Sequence, residues 1–352
     1  MLRIGVVGIG FMGMIHYLAW RRVSRARVTA ISTRNAQRLA GDWRDVKGNF
    51  GPPGEVMDLS GVQKYARYED LLADPEVDVV DLCSPPDKHC EMTLAAFAAG
   101  KHVLVEKPIA LHPHEAERMT AAAKESGKRL LVAHVLPFLP EFAYAVDAIR
   151  GAAFGKFLGG FFRRIVSEPT WIPDFFNPNT VGGPIVDLHI HDAHLIRVLA
   201  GMPASVVSSG RTRGDVVEFF TTQFRFADPK LHVVAQSGVI AQQGRPFTHG
   251  FEIHLEGATL VFDSQALVGQ TEGTGVPLTV LDKSGGSFRP PLGSSDPVDG
   301  FVAELTEAAD AIETGRPSPL LAGELARDAL VLCHRQTEAV RSGEIVAVAA
   351  VR

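Results

Sequence analysis

Glu106-Lys107-Pro108 follows directly on the apolar run His102-Val103-Leu104-Val105, which puts a lysine where a buried strand would end. A lysine there can exchange a proton with a hydroxyl or a carbonyl, although a lone lysine at a strand end is just as well a solvated charge. Its weight comes from Gly8-Ile9-Gly10-Phe11-Met12-Gly13, which follows the apolar stretch Arg3–Val7 and opens a helical pattern at Met14–Trp20. Glycines at Gly8, Gly10 and Gly13 allow a tight turn, close backbone approach to a pyrophosphate, and close helix–strand packing. The N–H groups of the helix start, with Phe11 and Met12, then meet the phosphate charge. A bare glycine motif is weak evidence; one placed between a strand and a helix this early in the chain points to dinucleotide binding.

The ribose 2′ position is read at the end of the second strand, where Ser32-Thr33-Arg34-Asn35 carries no acid. An acid would pair with the ribose hydroxyls of NAD and repel a phosphate. Small hydroxyls beside Arg34, with Arg38 one turn on, favour NADP, with NAD as the alternative. Both arginines read equally as exposed charges.

Asp187 and His191 form the second constellation. On a regular helix, residues four apart share one face, with Cβ atoms about 5–6 Å apart. A carboxylate can hold an imidazole in one tautomer and raise its basicity, giving an acid–base tunable near neutral pH. The plainer reading is a helix cap and a satisfied core histidine. His194 extends the same stripe and His189 points elsewhere. An Asp–His–His stripe could take a divalent metal, but hydride chemistry with a lysine needs none, so no metal is expected.

These groups need elements to hold them. Strand-like runs at Arg3–Val7, Val28–Ser32, Val77–Cys83, His102–Val105 and Arg129–Ala133 include helical patterns at His89–Ala99 and His114–Ser126 among their connections. Such alternation predicts βαβ units and a parallel, doubly wound sheet. Gly48–Gly61 reads as a loop. Beyond about residue 135, strand-like runs dominate: Phe157–Val166, Ala204–Ser209, Val216–Phe226, His232–Ile240, Phe251–Glu256 and Thr259–Phe262. They predict a large, mainly antiparallel open sheet interrupted by one helix from about Pro184 to Leu199. The tail from Pro297 to Ser342 is helical again, broken at Gly315-Arg316-Pro317. The fold class is α/β, with a dinucleotide-binding domain on the parallel sheet over residues 1–133 and a second domain on the open sheet over 134–352. The C-terminal helices are free to pack back on the first domain.

At 352 residues, 46% hydrophobic and 21% charged, the chain suits two domains of an ordinary globular protein. A net charge of −5 favours neither nucleic acid nor an anionic membrane surface. Three scattered cysteines without a CxxC pair suit reduced thiols, and no apolar run approaches a membrane span. A cytoplasmic enzyme is the expectation.

The ordered set of motifs resembles the Gfo/Idh/MocA family, named for glucose–fructose oxidoreductase and inositol dehydrogenase. The resemblance rests on the glycine turn, Cys83-Ser84-Pro85-Pro86 with His89, Gly100-Lys101-His102-Val103 leading into Glu106-Lys107-Pro108, and Asp187-Leu188-His189-Ile190-His191. It implies a Rossmann domain followed by a domain whose open sheet makes homodimer or homotetramer contacts. It also implies hydride transfer between a nicotinamide and a sugar, polyol or similar carbonyl compound. Lys107 matches the family's catalytic lysine and Glu106 its neighbour in that motif; Ser84, Pro85 and His89 match positions lining the nicotinamide side. Asp187 and His191 match the family's Asp-x-x-x-His pair. Leu136-Pro137-Phe138 stands where many members carry an arginine, which implies a different pocket wall, and His194 replaces a frequent Asp. Trp171, in the loop Glu168–Thr180, could stack on a sugar face or simply pack.

The expected function is an NADP-dependent oxidoreductase acting on a secondary alcohol, or the matching ketone, of a sugar, sugar derivative or cyclitol. Two alternatives use the same residues or fold: a glycosidase or lyase that oxidises its sugar transiently with retained cofactor, and a non-catalytic NADP-binding sensor.

Overall fold

The computed structural model describes residues 1–170, 172, 174–269, 274–294 and 296–348. The chain forms two compact units, Met1–Leu139 with Ser294–Arg327, and Pro140–Gly293 with Asp328–Arg352. The first unit thus runs past residue 133 and takes in part of the tail.

In the first unit, β1 (Leu2–Val7), β2 (Ala26–Ser32), β3 (Gln63–Tyr65), β4 (Val79–Leu82), β5 (His102–Glu106) and β6 (Leu130–Ala133) make one parallel sheet in the order β3-β2-β1-β4-β5-β6. The connections carry α1 (Phe11–Trp20), α2 (Ala36–Leu39), α3 (Tyr68–Leu72), α4 (His89–Ala98) and α5 (Pro113–Ser126). Strands β4 and β6 are buried throughout, as expected where helices cover a parallel sheet. No pattern marks β3, because Gln63-Lys64-Tyr65 is a polar edge strand with no apolar run to betray it. From the tail, α9 (Asp299–Thr314) returns to this unit, where Phe301, Leu305 and Ala308 join a core with Ile4, Met14, Ile15 and Trp20. It stops at Gly315, whose φ of 68° closes the helix in the left-handed region, at the break expected from Gly315-Arg316-Pro317.

The second unit is built on a sheet whose described strands are β7 (Phe157–Ser167), β8 (Ser205–Arg213), β9 (Val216–Arg225), β10 (His232–Ile240), β11 (Phe247–Leu255), β12 (Ala258–Ala266), β13 (Thr274–Asp282), β14 (Ser287–Phe288) and β15 (Val346–Ala347). Their order is β14-β13-β12-β11-β7-β10-β9-β8-β15, antiparallel except for β7 beside β10. Its helices are α6 (Pro140–Arg150), α7 (Gly183–Asp187), α8 (Ile190–Ala200) and, from Asp328 on, α10 (Gly323–Ser342). The sequence reading passed over α6. Its Phe142 packs on one face of the sheet, 5.2 Å from the Phe251 ring and 5.7 Å from that of Phe262, between centroids. Leu158, Phe161, Val276, Leu281 and Phe288 stay exposed on this unit.

The single helix expected from Pro184 to Leu199 is two. Pro184 O accepts both Leu188 N–H at 3.1 Å and His189 N–H at 2.9 Å, so the hydrogen-bond ladder slips by one residue there. Asp187 therefore ends α7, whereas His191 lies in the first turn of α8. The two residues thus lie on either side of this slip rather than on one regular helix.

Candidate active site

Because all six strands of the first sheet run parallel, the loops after β1, β4 and β5 emerge at one edge. β4 lies between the other two. The chain order reverses between β1 and β4, the place where open α/β sheets leave a crevice for ligands. At about 4.8 Å per strand, the loop bearing Lys107 leaves the sheet roughly 10 Å from the glycine turn.

The turn is shaped by backbone contact. Gly8 has φ +90°, and a Cβ there would stand 2.6 Å from Cys83 O; a Cβ on Gly13 would stand 2.1 Å from Gly8 O. A Cβ on Gly10, by contrast, meets nothing within 4 Å. Two glycines are thus demanded by packing and the third borders open space. The start of α1 carries no side-chain cap and no acid in its first turn, which leaves its N–H groups for an anion. Ser84 Oγ is buried, with no hydrogen-bond partner among the described residues. This cradle fits a dinucleotide.

At the end of β2, Ser32 is buried, Thr33 is half-buried and Arg34 is exposed. Arg38 is committed elsewhere: its Nε and one terminal nitrogen contact Asp45 at 2.7–3.2 Å, and the other donates to Ile9 O at 2.7 Å. Its guanidinium braces the glycine turn against the α2 region and is not held out for a phosphate.

His89, expected to line the nicotinamide, and Glu106, expected at the cofactor beside Lys107, also act as internal braces. His89 is fully buried; its Nδ1 lies 2.8 Å from Pro108 O and its Nε2 2.8 Å from Ser84 O, tying the loop after β4 to the loop after β5. Two carbonyl partners ask for two N–H groups, but burial holds the ring below the usual histidine range. We take the ring as neutral, with one true hydrogen bond and one close contact. Glu106 is 7% exposed, with Oε1 3.1 Å from His16 Nε2 and Oε2 accepting the Lys107 backbone N–H at 2.9 Å. Lys107 itself is half-buried, and Pro85 is exposed.

Behind Glu106 lies a group of residues that the sequence reading did not single out. His16 on α1 points Nδ1 at Asp81, 2.9 Å from Oδ2, and Trp20 Nε1 donates to the same oxygen at 2.7 Å. Cys83 Sγ lies 3.7 Å from Asp81 Oδ1. Burial alone would push His16 down, but Asp81 and then Cys83 outweigh it and carry the imidazole well above its usual range. The Cys83 thiol is pushed up to about 12 by burial and by Asp81, so it is not a thiolate nucleophile. Glu304 on α9 is fully buried, and neither carboxyl oxygen has a hydrogen-bond partner among the described residues. Burial, with Glu106 and Asp81 nearby, holds it protonated well above the carboxylate range. The sequence carried one signal for this cluster: Asp81, an acid inside the apolar run Val79-Val80-Asp81-Leu82.

In the second unit, Asp187 and His191 are half-buried. Their neighbour Asp192, 2% exposed, receives Arg164 from β7 through two bonds of 2.7 and 3.1 Å. His189 is fully buried; its Nε2 lies 3.0 Å from Gln336 Nε2, and that amide also reaches Thr222 Oγ1 at 3.0 Å. Burial lowers His189 to about 4, and the ring accepts from the amide as a neutral imidazole. His194 is fully buried. Trp171 lies outside the described residues.

A parallel sheet in this strand order, with a glycine cradle and a lysine at one edge, defines a Rossmann-type nucleotide-dependent oxidoreductase. Residues 2–134 match the model of the oxidoreductase family with an NAD-binding Rossmann fold, and residues 142–261 match the Gfo/Idh/MocA C-terminal domain. The chain belongs to the Gfo/Idh/MocA family of oxidoreductases. It is 33% identical to the 1,5-anhydro-D-fructose reductase of Ensifer adhaerens, over 75% of this chain and 78% of that one. It is 26% identical to the myo-inositol 2-dehydrogenase of Thermotoga maritima, over 94% of both. Among solved structures, a levoglucosan dehydrogenase in complex with NADH and levoglucosan superposes with a TM-score of 0.77 at 21% identity, covering 99% of each chain.

Proposed function

We propose that this chain is an NADP-dependent oxidoreductase that interconverts a secondary alcohol and a ketone on a sugar, sugar derivative or cyclitol. The observation that carries this reading is the pairing, at one sheet edge, of a glycine cradle open at Gly10 with a half-buried lysine two strands away. The two relatives named for an anhydro-sugar and a cyclitol support the substrate class.

Gly8, Gly10 and Gly13 with the start of α1 would hold the pyrophosphate, and Ser84 Oγ offers a polar contact beside it. When bound, the nicotinamide supplies or accepts the hydride. Lys107 Nζ takes the hydroxyl proton as the alcohol is oxidised, or returns it as the ketone is reduced. His191, with Asp187, is the second proton-handling group. With Arg38 engaged by Asp45, the preference for NADP over NAD rests on Arg34. The exposed apolar residues of the second unit would bury against further copies of this chain, giving a homodimer or homotetramer in the cytoplasm; light scattering tests that assembly.

A panel of sugars and cyclitols, followed at the nicotinamide absorbance band with both cofactors, is the direct test. Lys107→Ala should abolish turnover while leaving NADPH affinity within about twofold, the pattern of a group that acts on the reaction rather than on cofactor binding. Near-normal turnover removes the assignment. Arg34→Ala should weaken NADPH about tenfold or more and leave NADH nearly unchanged, as expected for one charge-assisted phosphate contact; equal losses defeat the NADP reading. A cofactor that stays bound, with no net NADPH turnover, would instead favour the transient-oxidation chemistry of a glycosidase or lyase.

A further inference from the structure

We propose that His16 is a positioning residue for Lys107: clamped between Asp81 and Glu106, it fixes the Glu106 carboxylate, which in turn holds the Lys107 backbone N–H. The proposal rests on the role given to Lys107 above, but the chain of contacts stands by itself.

Four observations carry it. Glu106 immediately precedes the lysine; its Oε1 lies 3.1 Å from His16 Nε2, a charge contact outside hydrogen-bond geometry, and its Oε2 accepts the Lys107 N–H at 2.9 Å. A carboxylate held between that imidazole and the amide loses torsional freedom, which restrains the peptide entering Lys107. The second nitrogen of His16 is fixed as well, by Asp81, which Trp20 Nε1 holds in place at 2.7 Å. Asp81 and His16 are fully buried, so water does not compete for these bonds.

His16 brings a positive charge to a cluster of acidic groups. Asp81 and the Cys83 thiol come from β4 and the loop after it, Glu106 from β5, Glu304 from α9, and Trp20 from His16's own helix. Phe301 on α9 closes the remaining side, its ring 6.1 Å from the imidazole. With Glu304 held as the neutral acid, an imidazolium faces two carboxylates. His16 thereby prevents Asp81 and Glu106 from repelling one another, and Glu106 keeps the conformation that reaches the Lys107 amide. The arrangement belongs to the floor of the site, since none of these side chains needs to touch substrate.

Two substitutions separate this role from simple packing. His16→Gln retains a donor on the Nε2 side, toward Glu106; His16→Asn retains one on the Nδ1 side, toward Asp81. We expect His16→Asn to speed hydrogen exchange of the Lys107 amide about tenfold, the loss expected for one bond to a charged acceptor. On a substrate from the panel, its kcat should fall by a similar factor with NADPH affinity within about twofold. His16→Gln, which keeps a donor toward Glu106 but not the charge, should show a smaller loss in both. Glu106→Gln should reproduce the His16→Asn loss, and combining the two should add little, because they act through one path. Equal losses in His16→Asn and His16→Gln, or full additivity with Glu106→Gln, would overturn the proposal. If His16→Asn does not fold, Glu106→Gln decides: unchanged exchange at the Lys107 amide would end it. The exchange measurement needs no substrate, so it stands even if the proposed reaction is wrong. A lost kcat with unchanged exchange counts against the positioning role.

Discussion

The two units bury histidines under opposite electrostatic conditions. In the first, His16 is enclosed by Asp81, Glu106 and Glu304, and it is held charged. In the second, His189, fully buried, and His249, half-buried, lie near Arg164 and are driven neutral, to about 4 and about 3. Burial acts in the same direction in all three, so the neighbours decide. At His16 the Asp81 carboxylate and then Cys83 outweigh burial; at His189 burial outweighs Asp192, with Arg164 adding to it, and at His249 Arg164 adds to burial. A buried histidine in this molecule therefore has no intrinsic charge state.

The pH dependence of stability follows with opposite signs. The folded-state value of His16 lies above its unfolded value, so its contribution is complete below about pH 6.5 and is lost as pH rises through the folded value. His189 and His249 have depressed values: the unfolded chain takes up a proton first as pH falls below about 6.5, and stability drains away down to about 4 and about 3. Glu304 adds to the alkaline side, because the unfolded chain releases its proton from about pH 4.5 upward while the folded one retains it.

The contrast can be broken most severely at His16. His16→Leu leaves Asp81 and Glu106 buried without their cation, and urea denaturation at neutral pH should show a loss of about 3–5 kcal/mol. A loss below about 1 kcal/mol would mean that the ring is neutral like those of the second unit. A smaller effect is expected at His249, which sits among Phe142, Phe247 and Phe262. His249→Phe should reduce the stability lost between about pH 7 and pH 4 by on the order of 2–3 kcal/mol. An unchanged acid limb would remove His249 from the account. Glu304→Gln should be near wild type at about pH 5 and progressively more stable than wild type toward pH 8. The opposite trend would show an ionised Glu304.

Much of the first unit was legible because its signals are local. Strand, glycine turn and helix follow one another in the first twenty residues, and Lys107 closes an apolar run. The pattern failed where an element has no apolar face to display, as at β3, or where a helix slips by one residue, as after Pro184. The candidate site was half legible. Gly10 lies in the turn after β1 and Lys107 directly after β5, whereas the side chains of Arg38, His89 and Glu106, all expected at the cofactor, turn to Asp45, two carbonyls and His16 respectively. Motif position reports which loop a side chain occupies; it does not report which way the side chain turns.

By itself, the sequence determined the glycine cradle, the parallel order of a nucleotide-binding sheet, the open second sheet and the family, because these depend on residue type and short-range period. Only the tertiary structure decided that Asp81, His16, Glu106 and Glu304 would meet, and with what charges. They come from four elements spread over nearly three hundred residues, and a buried group's charge is set by what packs against it, which no local pattern records.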